Sequence, residues 1–198
     1  MVRLLFYSLA KNTNNMCLFQ PITTDNCPQG RGGINKAWVT QCENVVDIVF
    51  DTTTRTIVAL VMNGSPGAGR FVPIEFEKKT ANFEQAKTKI KNGTNVTQTL
   101  TFIEPGLNPL TSRLLEDLNN CCCYHAIVKD NNGKLHYMGI SYFKDTDTWQ
   151  SEDLKTGEGS ANTGADPTAD NNEYTESLTA DTIWFAPFYA LAESTIPV

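Results

Sequence analysis

Val45-Val46-Asp47-Ile48-Val49-Phe50, the link Asp51-Thr52-Thr53-Thr54-Arg55, and Thr56-Ile57-Val58-Ala59-Leu60-Val61-Met62 together form the stretch that decides the fold class. Two runs rich in β-branched residues around a short polar link predict a β-hairpin. In the first run Val46, Ile48 and Phe50 share one face, while Val45 and Val49 sit on the other. In the second, Ile57, Ala59 and Val61 alternate with Val58, Leu60 and Met62, so both faces are apolar. A strand greasy on both sides is covered on both sides. In a small sandwich, one of those covers can be a neighbouring subunit.

Working outward, Lys36 to Thr40 reads as a strand, and Val72, Ile74 and Phe76 alternate with Phe71, Pro73, Glu75 and Glu77 as a half-buried one. Residues 81–91 are polar and fit a short helix or an exposed strand. Asn92-Gly93 marks a turn, after which Val96, Gln98, Leu100 and Phe102 alternate with Thr97, Thr99 and Thr101, a strand with one polar face. One helix is signalled. Asn108 can cap it, Pro109 takes the first helical position, where its missing donor costs nothing, and Leu110, Leu114, Leu115 and Leu118 form one stripe. Cys123 to Lys129, the turn Asp130-Asn131-Asn132-Gly133 and Lys134 to Phe143 predict a second hairpin. Beyond Trp149, Thr156 to Gly164 lacks the residues for core or regular structure, so a long polar loop is expected near 150–175. A last strand is expected at Thr182-Ile183-Trp184-Phe185, extending toward Tyr189. The chain thus reads as mainly β, with residues 1–33 an N-terminal arm or extra strand and 34–198 one domain.

Composition narrows the function classes. The 198 residues carry a net charge of −6 and only 19% charged side chains, which gives no cationic footprint for gripping nucleic acid. Such a surface suits DNA passing without adhesion. Charge is also uneven. Asp145 to Asp181 is strongly acidic with Lys155 its only cation, whereas Lys78, Lys79, Lys87, Lys89 and Lys91 cluster earlier. Solvated faces explain this first, complementary faces between subunits second. No stretch approaches the ~20 apolar residues of a membrane span. Met1 to Ala10 has too short an apolar region for a secretory signal and reads as a strand or arm. Of Cys17, Cys27, Cys42, Cys121, Cys122 and Cys123, the last three are consecutive. Adjacent strand side chains face opposite ways, so reduced thiols in a cytosolic setting are expected. The sequons at Asn63, Asn92 and Asn95 then read as exposed polar turns.

Three groupings invite a chemical reading. Gly64-Ser65-Pro66-Gly67-Ala68-Gly69-Arg70-Phe71 has the glycine spacing of a phosphate loop, but Arg70 and Phe71 stand where Lys and Ser/Thr belong. A strand follows it rather than a helix, so a hairpin tip is expected. Cys123, His125 and His136 fall on one face if the hairpin pairs as proposed, within reach of a metal or a thiol–imidazole pair. Ile127, Met138 and Ile140 share that face, and an apolar setting favours buried structural side chains. Glu116 and Asp117 occupy the solvent side of the helix, where carboxylates usually solvate. No catalytic, cofactor-binding or metal-binding residue is assigned, and a non-enzymatic role is expected.

The order of elements carries a resemblance. Gly32-Gly33-Ile34 opens onto a hairpin of apolar strands, then a Thr-rich strand and the Pro-started helix from Asn108 to Asn120. The Asp-Asn-Asn-Gly hairpin leads into His136-Tyr137-Met138-Gly139-Ile140, and a Thr/Gly-rich loop precedes an aromatic closing strand. Over roughly residues 30–190 this resembles the tail-tube and tube-like structural proteins of tailed bacteriophages. The resemblance implies a β-sandwich with one flanking α-helix and long loops. It further implies homo-oligomeric, sixfold rings around a DNA conduit, contacts with other tail or collar proteins, and residence in the virion after assembly in the host cytoplasm. A head-to-tail collar or hub ring protein of the same fold is the near alternative. Two others come from different classes. One is a monomeric β-sandwich module for carbohydrate or protein, with Trp149, Trp184 and Tyr189 as stacking platforms. The other is a thiol or metal enzyme around Cys123 and His125.

Overall fold

The computed structural model describes residues 32–198 except 52, 65–69, 75, 77–78, 92, 106–108, 121–122, 144–145, 147 and 163–171. The expected arm over residues 1–33 lies almost wholly outside them. In chain order the strands are β1 (Ile34–Gln41), β2 (Val45–Asp51), β3 (Thr56–Met62), β4 (Val72–Ile74), β5 (Asn82–Ile90) and β6 (Gly93–Pro105). After helix α1 (Pro109–Asn120) come β7 (Tyr124–Asp130), β8 (Leu135–Met138), β9 (Ile140–Phe143) and β10 (Thr148–Ser151). Last are β11 (Lys155–Thr156), β12 (Ser160–Asn162) and β13 (Glu173–Thr182). The fold is mainly β and sandwich-like, and among the described residues α1 is the one α-helix, where the leucine stripe predicts it.

One layer is the antiparallel sheet β4-β1-β7-β8, and the other is β11-β13-β6-β5 with β12 also on β13. Between them lies a core in which Ile34, Ala37, Val39, Val128 and Met138 of the first sheet meet Leu100, Phe102, Leu178 and Ala180 of the second. Leu115 and Leu118 bring the helix onto this core, and the Tyr124 hydroxyl ties it down by donating to the Leu118 carbonyl at 2.9 Å. Burial of each large aliphatic or aromatic side chain here contributes roughly 1.5–3 kcal/mol.

A second core covers the other face of the first sheet. Trp38, Ile127 and Tyr137 there meet Val45, Ile48 and Ile57 of the β2–β3 hairpin, with Phe71, Ile140 of β9, Tyr189 and Ile196. The hairpin reaches the sheet through residues 187–190. Phe188 O accepts from Ile57 N at 2.8 Å and Ile57 O accepts from Ala190 N at 2.9 Å. On the other side Tyr137 N donates to Pro187 O and Tyr189 N to Leu135 O, each at 2.9 Å. This short segment joins β3 to β8 and makes one continuous hydrogen-bonded surface.

Several expectations need correcting. The run Lys134 to Phe143 is not one strand: it breaks at Gly139, whose φ of +84° only glycine adopts readily. A Cβ there would lie 2.9 Å from Tyr124 O and 3.1 Å from Leu154 Cβ, so the close approach also demands glycine. The final strand runs from Glu173 to Thr182, earlier than its aromatic neighbours suggest, because β6 supplies its pairing partner along the whole length. Of the expected polar loop near 150–175, residues 163–171 lie outside the described part. The rest holds β10, β11 and β12, with Leu154 fully buried. Ile74 is buried and Phe76 partly buried as the alternation expects, but Phe71 is buried in the second core while Val72 is exposed. Of the two readings for residues 81–91, the exposed strand is the one that forms, over Asn82–Ile90.

The cysteine expectation is also overturned for one pair. Cys42 and Cys123 form a disulfide with their Cα atoms 5.5 Å apart, the span such a bond requires. Cys121 and Cys122 lie outside the described residues.

Candidate functional site

The hairpin β2–β3 buries one face only. Its register slips between Val45 and Asp47, leaving Val46 without a cross-strand partner, and again between Val49 and Phe50. The extra residue of such a bulge turns its side chain out of the alternation. Ile48 and Ile57 therefore point into the second core, while Val46, Val49, Val58 and Val61 all face solvent, Val46 at 60% exposure. The expectation that both faces of these strands are covered holds within this chain for the inner face alone.

At the turn end of the same hairpin lies a pocket. Asp51 Oδ1 accepts from the backbone amides of Thr53 (2.8 Å) and Thr54 (3.2 Å), which holds its carboxyl below the usual carboxylate range. The turn closes with Arg55 at φ +57°, and its guanidinium lies 5.4 Å from the centre of the Trp184 ring. Such a cation–ring contact contributes about 0.5–1 kcal/mol at an exposed site. Phe50 stacks on Tyr142 with ring centroids 4.4 Å apart, forming a floor together with Ile140. Phe185 and Pro187 complete the walls around about 190 Å³.

Polar side chains from four strands hold the segment that carries the aromatic wall. The Ile183 amide donates to Ser141 Oγ at 3.1 Å and the Ala186 amide to Gln85 Oε1 at 2.6 Å. Trp184 O accepts from Gln98 Nε2 (3.2 Å) and from Thr182 Oγ1 (2.6 Å). Gln98, itself fully buried, also accepts from the Gly139 amide at 3.3 Å. With its backbone gripped, the segment presents Trp184 and Phe185 with half their surface in solvent, at 50% and 51%. Buried polar groups that are satisfied in this way rigidify what they touch.

Pairing on the β7–β8 hairpin settles the histidines. Val128 lies opposite His136, and Ile127 opposite Tyr137, so His125 and His136 occupy opposite faces of the sheet. His136 packs against Phe83 and Phe188 with Nε2 3.5 Å from Asp130 Oδ2. His125 lies between Tyr137 and Trp149. Burial lowers its pKa to about 4, so the ring is neutral, and neither nitrogen has a partner among the described residues. Cys123 is bonded to Cys42. The expected one-face cluster of Cys123, His125 and His136 therefore does not form. No group of three or more His, Cys, Asp or Glu side chains among the described residues could hold a metal ion.

The other sequence candidates are dispersed. Residues 65–69 of the glycine-rich loop lie outside the described part, while Phe71 is core. Glu116 is exposed on the helix. Of the three aromatic platforms, Tyr189 is buried and Trp149 is half-buried, its indole N–H donating to Asp47 Oδ1 at 3.1 Å. Only Trp184 of the three faces solvent. Phe50, Arg55, Tyr142 and Phe185 escaped the sequence reading because they come from three separate segments. Gln98 gave a signal, as the single amide in an alternating apolar face.

No helix among the described residues is long and apolar enough to cross a membrane. No protein-family model matches the sequence, and no curated protein or solved structure matches the chain.

Proposed function

We propose that this chain is a self-assembling structural subunit of a tailed-phage virion, forming rings in which a mildly acidic surface lets DNA pass without adhering. The uncovered valine face of β2–β3 carries this reading. Four β-branched side chains on a short two-stranded ribbon remain in water although the same chain buries two substantial cores. Exposed contiguous apolar surface of this kind marks an interaction site. Strand β5 at the edge of the second sheet carries exposed Lys87 and Lys89, which guard it against indiscriminate strand pairing and leave the valine face as the surface for association. A net charge of −6 suits a conduit rather than a nucleic-acid clamp.

The carbohydrate-binding alternative loses support from the pocket's chemistry. Its lining is apolar apart from Arg55, whereas sugar recognition needs several convergent polar groups.

Size-exclusion chromatography with light scattering, followed by negative-stain microscopy, tests the proposal. Closed rings of uniform subunit number are expected. A compact monomer at every concentration up to the millimolar range would defeat it.

A further inference from the structure

Resting on the self-assembly reading, we propose that the pocket beside Arg55 is a socket for Val46 of a second copy of this chain, with Glu43 and Asp47 of that copy meeting the Arg55 guanidinium.

Size selects the class of occupant. At about 190 Å³ the pocket lies below the roughly 300–1,000 Å³ of small-ligand sites and suits one inserted side chain. Its apolar lining selects an apolar one. Its rim carries a cation, and Arg55 forms no ion pair with a described residue. A buried anchor ringed by complementary charge is the usual layout of an interface hot spot. The pocket is also pre-formed, because Ser141, Gln85 and Gln98 fix its aromatic wall before anything binds.

The chain itself displays the complement. Val46 is 60% exposed at a bulge that turns it outward, and it is flanked along the chain by exposed Glu43 and Asp47. Neither acid forms an ion pair with a described residue. An apolar knob between two carboxylates thus matches an apolar socket beside a guanidinium, in shape class and in sign of charge.

Knob and socket cannot satisfy each other within one molecule. Val46 and Phe50 lie four residues apart on the same strand, about 13 Å at strand rise, with the bulk of β2 between them. A one-way contact between two copies leaves one knob and one socket open, so association continues and ends in a ring where the rotation closes. The ring of the preceding section is one such closure.

Complementation between two variants provides the test. Val46→Asp removes the knob and keeps the socket, whereas Arg55→Glu spoils the socket and keeps the knob. Both residues are on the outside of the fold, and circular dichroism verifies that each variant is folded. Each variant alone is expected to self-associate at least roughly tenfold more weakly than the parent. Mixed in equal amounts, they are expected to form a 1:1 pair that grows no further. Glu43→Arg placed in the Arg55→Glu chain is expected to restore assembly. Variants that assemble like the parent, or a mixture that stays monomeric, overturn the socket while leaving self-assembly intact. A parent that never assembles instead removes the reading on which the socket rests.

Discussion

His125 and Trp149 meet edge to face, ring centroids 6.0 Å apart at 74°, with the imidazole fully buried and neither nitrogen hydrogen-bonded among the described residues. Desolvation holds its pKa at about 4, against 6.5 in an unfolded chain. Above pH 6.5 both states are neutral and the residue adds no pH dependence. Between pH 6.5 and 4 the unfolded chain takes up a proton that the native state refuses, so stability falls as pH falls. The loss saturates on the order of 3 kcal/mol. Chemical denaturation at pH 7 and pH 4.5 is expected to show it. His125→Leu is expected to abolish most of this slope with no loss at pH 7, since it removes two unsatisfied buried atoms.

Glu193 receives Lys36 Nζ and Lys129 Nζ, each at 2.6 Å. These partners hold its carboxyl below the usual range. Its contribution is present above the unfolded carboxylate pKa of about 4.3 and is lost as pH falls through the lower folded value. Because the group is partly exposed, Glu193→Gln is expected to cost at most about 1 kcal/mol at neutral pH. A thermal-melt series from pH 7 down to pH 3 should place this loss below that of His125.

The disulfide between Cys42 and Cys123 closes a loop across 81 positions. Cross-links over long loops stabilise by roughly 2–4 kcal/mol. Cys42→Ser, or a strong reductant on the parent protein, is expected to lower the melting temperature, and the reductant should then leave the variant unaffected. Equal sensitivity of parent and variant to reductant would contradict the pairing.

Gly139 combines a positive φ with backbone contact on Tyr124 O. Gly139→Ala is expected to destabilise by about 1–3 kcal/mol. Gln98→Leu should cost a similar amount by stranding the Gly139 amide and removing one of the two bonds to the Trp184 carbonyl. It should also loosen the Trp184 wall, read as increased quenching of indole fluorescence by acrylamide.

Local signals carried the parts of the fold that were legible. Pro109 and the leucine stripe located the helix, and Asp130-Asn131-Asn132-Gly133 located the β7–β8 turn, because helix starts and tight turns are short-range chemistry. Strand β13 was hidden because its Thr- and Glu-rich run has few apolar residues, Leu178 and Ala180 chief among those it buries. Its identity comes from the long ladder with β6. The histidines were misplaced by one residue of register, which moves a side chain to the opposite face. The pocket was illegible because Arg55 reads as a turn residue, and only the tertiary fold brings Trp184 beneath it.

The seam made by residues 187–190 also imposes an order of events. The β2–β3 hairpin gains its backbone link to β8 only once Pro187 to Ala190 have been synthesised and slipped between Ile57 and Leu135. Until then neither the aromatic wall nor the outward valines have their final placement.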